Sequence, residues 1–236
     1  MRAFLAQIKK ELRLYFYSPI AYIFYVVFLA FSYWIFFQSF FDNGAASLGG
    51  YFAVLPWLYF FILPSLTMRI WAEEFRQGTD EVLLTSSLSS LSLVLSKFVA
   101  SFIVFEGLLF FSLSLPVSLF FIGDFDWGMV MTSYMGASFL GMAFLAIGQF
   151  FSSVTHNQII AFIMTVISIF FLYFLSHAFV LYKIPNTLVP FFQSIGSSYY
   201  YNSFLLGTID SRAVVYFLSV ISFFLYITYE KISYKK

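Results

Sequence analysis

An all-α membrane protein with six transmembrane helices is the fold class this chain predicts, and three observations predict it. Hydrophobic residues make up 61% of its 236 positions and charged residues 10%. A soluble domain carries about 25% charged residues, so this chain lacks the polar surface to face water all round. Six long apolar runs fill it, each near the ~20 residues a helix needs to cross the hydrocarbon. The runs are continuously apolar, without the alternation of a membrane β-barrel, and lipid leaves backbone polar groups to be satisfied within a helix or a closed barrel. The net charge of +1 excludes the global basic field that would draw nucleic acid. Cysteine is absent, which excludes disulfides and cysteine metal sites. Two histidines, His156 and His177, are too few for a metal centre without carboxylates.

The elements follow in order. Phe4, Leu5, Ile8, Leu12, Tyr15 and Phe16 recur at helical spacing, with Arg2, Gln7, Lys9, Lys10, Glu11 and Arg13 filling much of the rest. This predicts an amphipathic interface helix over 1–18. It serves either as a basic topology anchor or as an elbow that also touches a cytoplasmic partner. It has no compact apolar core followed by a small-residue cleavage site, so no cleaved signal peptide is expected. Ser18-Pro19 separates it from the first span, with proline at a helix-starting position. Spans are expected at 20–41, 51–71, 97–122, 128–151, 158–182 and 212–229. Trp34, Trp57, Trp71 and Trp127 fall near span ends, as interfacial anchors would.

The fourth span is rich in small residues: Gly136, Ala137, Ser138, Gly141, Ala143, Ala146 and Gly148. Its Ala137-x-x-x-Gly141 pair permits close helix approach, with packing inside the bundle expected over packing between subunits. Residues 183–211 form a long yet apolar segment. It reads as two short helices, broken at Gly196-Ser-Ser198, that dip back into the outer leaflet with their backbone satisfied against the bundle. The alternative is one irregular interfacial loop. With the N-terminus inside, ten of the twelve Lys and Arg residues fall in cytoplasmic segments; Lys183 and Arg212 do not. That bias predicts both termini on the cytoplasmic side.

The densest charged cluster, Arg69 to Thr85, lies between the second and third spans. Its first part, to Gln77, favours helix. Gly78 suits the left-handed residue at a helix C-terminus. Thr79 can cap a following short helix, with Asp80 and Glu81 in its first turn, where negative charge suits the dipole. The spacing therefore predicts helix, sharp turn, surface helix and return to the membrane over 72–96. Such a rigid knob can pass mechanical force; a charged loop marking one side of the membrane satisfies the same spacing.

The run EEFRQGTDEVLLTSSLSSLSLVLSKF, residues 73–98, resembles the loop of ABC-2 type permeases, the membrane subunits of one group of ABC transporters. The matching elements are Glu73, Glu74, Arg76, Gly78, Thr79, Glu81, Leu83, Leu84, Thr85, Ser86, Leu88, Ser89 and Lys97. Ser87 departs from the pattern, where the family commonly has proline. YSPIAYIF at the first span and YNSFLLGTIDSRAVVYFLS at the sixth are similar to the gliding-motility permeases within that family. The resemblance implies a single transmembrane domain over 1–236 in a bacterial inner membrane, paired with a second permease, identical or paralogous. A cytoplasmic ABC ATPase dimer would bind ATP and Mg. Its contact would be a coupling helix built from Glu73, Glu74, Arg76, Gly78, Thr79, Asp80, Glu81, Leu83 and Leu84. The chain itself carries no G-x-x-x-x-G-K-[ST], so no nucleotide, cofactor or metal site and no enzymatic activity are expected of it.

Glu106 falls deep in the third span, where a carboxylate is costly and invites a functional reading. It lines a translocation path or bonds a Ser or Tyr of a neighbouring helix. His156, in the turn Ser152 to Gln158, marks either a polar cap or a second contact with the ATPase. Two other functions compete. An intramembrane serine protease would want G-x-S-G, and Gly136-Ala-Ser-Phe139 lacks the final glycine. A self-driven secondary transporter would show paired mid-membrane ionisable groups and an internal repeat, whereas Glu106 stands alone in its span.

Overall fold

The computed structural model describes residues 2–43, 48–81, 88–120, 126–181, 185 and 187–235. Among these residues all regular elements are helices. The amphipathic N-terminal segment forms α1 (Arg2–Phe16), and Pro19 opens α2 (Pro19–Asn43). Helix α3 (Gly49–Thr67) ends earlier than the expected 71 and is followed by a tight bend and the short α4 (Ala72–Gln77). Helix α5 (Ser90–Ser112) starts seven residues before the expected 97, so residues 90–96 leave the predicted loop. Ser89 accounts for this: its hydroxyl accepts the Ser92 N–H at 3.2 Å, capping a helix whose first turns bury Leu93 and Val94.

The same run breaks at Leu113 before α6 (Ser114–Phe120). Pro116 removes the N–H that would bond the Ser112 carbonyl, and its ring crowds that carbonyl. Helix α7 (Trp127–Val154) is capped by Asp126, which accepts from Gly128 at 2.8 Å. Helix α8 (Gln158–Phe174) is capped by Asn157, which accepts from Ile159 at 2.9 Å. After a turn comes α9 (Ala178–Leu181). Two short helices, α10 (Val189–Ile195) and α11 (Ser197–Leu205), break at Gly196 as the sequence predicts. Helix α12 (Ser211–Lys235) ends the described chain.

Among the described residues, five stretches are long and apolar enough to cross a membrane: Ala21–Gln38, Gly49–Gln77, Ser90–Leu119, Trp127–Val154 and Ser211–Lys235. The run expected to span 158–182 instead gives the 17-residue α8. Its end is set by tertiary packing. The Ser176 hydroxyl accepts the Tyr199 N–H at 3.0 Å and pairs with Ser198 at 3.0 Å. A side chain at Gly196 would strike the Ser176 backbone nitrogen at 2.5 Å. The chain turns at Ser176 because α11 docks there.

Helix α7 is the centre of the bundle, in contact with α3, α5, α8, α11 and α12. Its small residues serve internal packing: a methyl on Gly136, Gly141 or Gly148 would collide with Phe204, Phe105 or Thr67 respectively. Close approach of this kind drives helix association in lipid. By contrast, the membrane-crossing stretches of α2 and α12 are only 22% buried. They turn Ile23, Val26, Phe31, Trp34, Val215 and Phe223 outward, an apolar belt far beyond what a water-soluble monomer tolerates. Trp34, Trp57 and Trp127 are exposed, but Trp71 is not the interfacial anchor expected of it. It is fully buried with Ile70, Phe75, Leu93, Val94 and Ile232 in a second core between α4, α5 and α12.

Broken backbone inside the bundle is satisfied by side chains. Pro56 lies within α3 and cannot bond the Phe52 carbonyl; the buried Tyr201 hydroxyl of α11 donates to it at 2.7 Å. In the bend after α3, Ser152 of α7 accepts from the Trp71 and Ala72 N–H groups at 3.0 and 3.2 Å and donates to the Met68 carbonyl at 3.1 Å. One hydroxyl thereby satisfies three groups that lipid would leave bare.

Candidate coupling site

The knob between the second and third runs is fastened to the bundle by Lys97. This side chain sits about two turns inside α5 and is 2% exposed. Its ammonium donates to Glu11 of α1 at 2.9 Å, to Glu74 of α4 at 2.7 Å and to the Ile70 carbonyl at 3.1 Å. It also lies 4.9 Å from the Trp71 ring centroid. All three ammonium protons therefore have acceptors, and two carboxylates offset one cation. Gln7 donates to Glu11 at 2.8 Å and completes that side. A buried charge persists when it is paired and hydrogen-bonded in this way.

Helix α1 is held on the same side by Tyr15, whose hydroxyl donates to the Leu66 carbonyl at 2.8 Å. Burial, with Glu11 beside it, raises the Tyr15 phenol above its ordinary pKa, so it remains a donor. The far face of α4 is closed by Phe75, which lies 5.4 Å from the His156 ring and carries Lys235 3.5 Å above its own ring. The short α4 is thus gripped by α1, α5, α7, the turn before α8 and the end of α12.

Gly78 then takes φ +67°, and the Thr79 N–H closes back on the Glu74 carbonyl at 3.1 Å. This is the left-handed C-terminus the sequence predicts, and glycine adopts it without strain. A new helical turn starts at Asp80 and Glu81.

The residues expected to couple are divided by this geometry. Glu74 turns inward to Lys97. Glu73 accepts from Arg76 at 2.8 Å and from Gln77, and Arg69 stands 3.9 Å away. Gly78, Thr79 and Glu81 are exposed and Asp80 is half-buried. Leu83 and Leu84 lie outside the described residues, as do Thr85 and Ser86. Glu106 is remote from the knob. Half-buried, it accepts a hydrogen bond from Ser138 of α7, the helix-to-helix bond that was one of its two expected roles.

Sequence reasoning missed Glu11, Gln7, Trp71 and Ser152. For Glu11 a signal existed: it stands three residues after Ile8 and four before Tyr15, inside the apolar stripe. Among the described residues, no group of three His, Cys, Asp or Glu side chains could hold a metal ion. No protein-family model and no curated protein sequence matches the chain.

Proposed function

We propose that this chain is the membrane-spanning permease subunit of an ABC transporter, driven by a separate cytoplasmic ATPase through the knob at Gly78–Glu81. The observation that carries this reading is the fastening of α4. A segment that transmits a push must not yield at its root, and α4 is tied at its root by the Lys97 network, by Ser152 and by the Trp71–Phe75 core. Beyond Gly78 the chain presents exposed polar and acidic residues, a surface a soluble partner can grip. The resemblance of residues 73–98 to the ABC-2 loop and the two flanking similarities support the same reading.

Under this proposal α8 also crosses, as the fifth of six spans, both termini are cytoplasmic, and α10 and α11 form the outer re-entrant segment of a bacterial inner-membrane subunit. The partners are an ABC ATPase dimer, which binds ATP and Mg, and a second permease. The work done is export or a membrane-machine function such as gliding motility.

The test is co-purification. Asp80→Lys with Glu81→Lys reverses charge beyond the fastened root and leaves the bundle's packing intact. The expected result is loss of the associated ATPase with unchanged helical content and unfolding temperature. A variant that keeps its ATPase and full transport overturns the proposal. A self-driven transporter is the competing reading, and Glu106 is the observation that favours it. Proton-dependent uptake by the purified chain alone in liposomes, abolished by Glu106→Gln, would establish that reading instead.

A further inference from the structure

A cleft of about 390 Å³ opens between α1, the start of α2 and the α3–α4 bend, within the size range of small-ligand sites. Its two ends differ in chemistry. One end is apolar, walled by Leu14 of α1, Phe24 of α2 and Leu66 of α3. The other carries Lys10 and Arg69 together with Glu73 and Glu74. At that end the second oxygens of both carboxylates, Oε2 of Glu73 and Oε2 of Glu74, are buried and accept no hydrogen bond, the Arg69 guanidinium standing 3.9 Å from the Glu73 one. A buried carboxylate oxygen without a donor is costly, and two of them in one cleft call for a group rich in N–H donors. Lys10 and Arg69 beside them call for an anion.

We propose that this cleft binds the headgroup of one aminophospholipid. The ammonium donates to the second oxygens of Glu73 and Glu74, the phosphate lies against Lys10 and Arg69, and the acyl chains leave along Leu14 and Phe24. A lipid is favoured over a soluble partner's lysine because the apolar side of the cleft is itself open to the outside: Leu14, which lines it beside Phe24, is exposed. A group arriving from water would leave that wall uncovered; a lipid covers both ends at once. The proposal needs the bundle to lie in a bilayer and is independent of any ATPase.

Native mass spectrometry of the full chain, delipidated and then titrated with single lipids, tests it. Phosphatidylethanolamine carries both charges and N–H donors. Phosphatidylcholine keeps the charges without N–H donors, and phosphatidylglycerol keeps the phosphate without the amine. The expected order is phosphatidylethanolamine first, by roughly tenfold, the size of a lost charge-assisted hydrogen bond. Glu73→Gln, which lies outside the Lys97 network, is expected to shrink that preference severalfold. Arg69→Gln is expected to weaken phosphatidylethanolamine and phosphatidylglycerol alike. Equal retention of the three lipids by the wild-type chain overturns the proposal without any variant. So does a preference for phosphatidylglycerol, or a preference for phosphatidylethanolamine that Glu73→Gln leaves intact.

Discussion

Lys97 shows how one side chain can convert a local motif into a joint. In the sequence it counts as a basic residue near a membrane boundary and as one element of a family-like run. Its partners were illegible there, since Glu11 lies 86 residues away and Glu74 23, and charge pairing at such separations has no periodic signature. The geometry makes a quantitative demand. Removing one member of a buried ion network leaves uncompensated charge and costs about 3–5 kcal/mol, whereas replacing every member with neutral groups can be close to neutral. Lys97→Met is therefore expected to destabilise the chain by about that amount in detergent unfolding. Lys97→Met combined with Glu11→Gln and Glu74→Gln is expected to recover much of the loss. If the triple variant is less stable than the single one, the three groups do not act as a network. Glu106 was more legible: a lone carboxylate in an apolar run needs a donor, and Ser138 on the neighbouring helix supplies it.

At the scale of the element, local chemistry was readable and helix ends set by distant packing were not. Gly78 as a left-handed terminus is a backbone statement that glycine makes alone, whereas the break at Gly196 has an ordinary extended backbone and needs glycine only for its close approach to Ser176. The end of α8 at Phe174 was hidden because an apolar run, Ala178 to Leu181, resumes after Ser176 and His177, and the stop comes from α11 docking on Ser176. Pro56 was visible, but the donor that answers it sits 149 residues from Phe52 in sequence. That pairing predicts a thermodynamic cycle. Tyr201→Phe leaves the Phe52 carbonyl buried and unpaired, at a cost of about 1–3 kcal/mol. Pro56→Ala restores a backbone N–H to the same carbonyl, so the cost of Tyr201→Phe should largely vanish in that background. Chemical unfolding of the four proteins measures the coupling. Additive losses would show that the phenol contributes by packing alone.

For the whole molecule, the question is how many helices cross, because that number decides on which sides the two termini lie. The bundle has two ends. The Phe75–His156 ring contact puts α4 and the turn before α8 at one of them, and the Tyr201–Phe52 bond puts α11 at the start of α3, at the other. Helix α8 joins the two, yet its 17 residues rise only about 25 Å against a hydrocarbon core of about 30 Å. A short span is accommodated by local thinning of the bilayer at modest cost, and Leu175 extends the apolar run by one residue. The chain has no cysteine, so variants with one introduced thiol report position without background. Thr79→Cys, His156→Cys and Ile209→Cys all fall at residues with surface access. A membrane-impermeant maleimide applied to intact cells should label the Ile209→Cys variant alone. The other two variants should react only after the inner face is opened. If α8 does not cross, His156 and Ile209 share a side and their variants label together. The termini would then fall on opposite faces, an outcome at odds with the Lys235–Phe75 contact and the Ile232–Trp71 core that hold the end of α12 beside α4 at the same end of the bundle as α1.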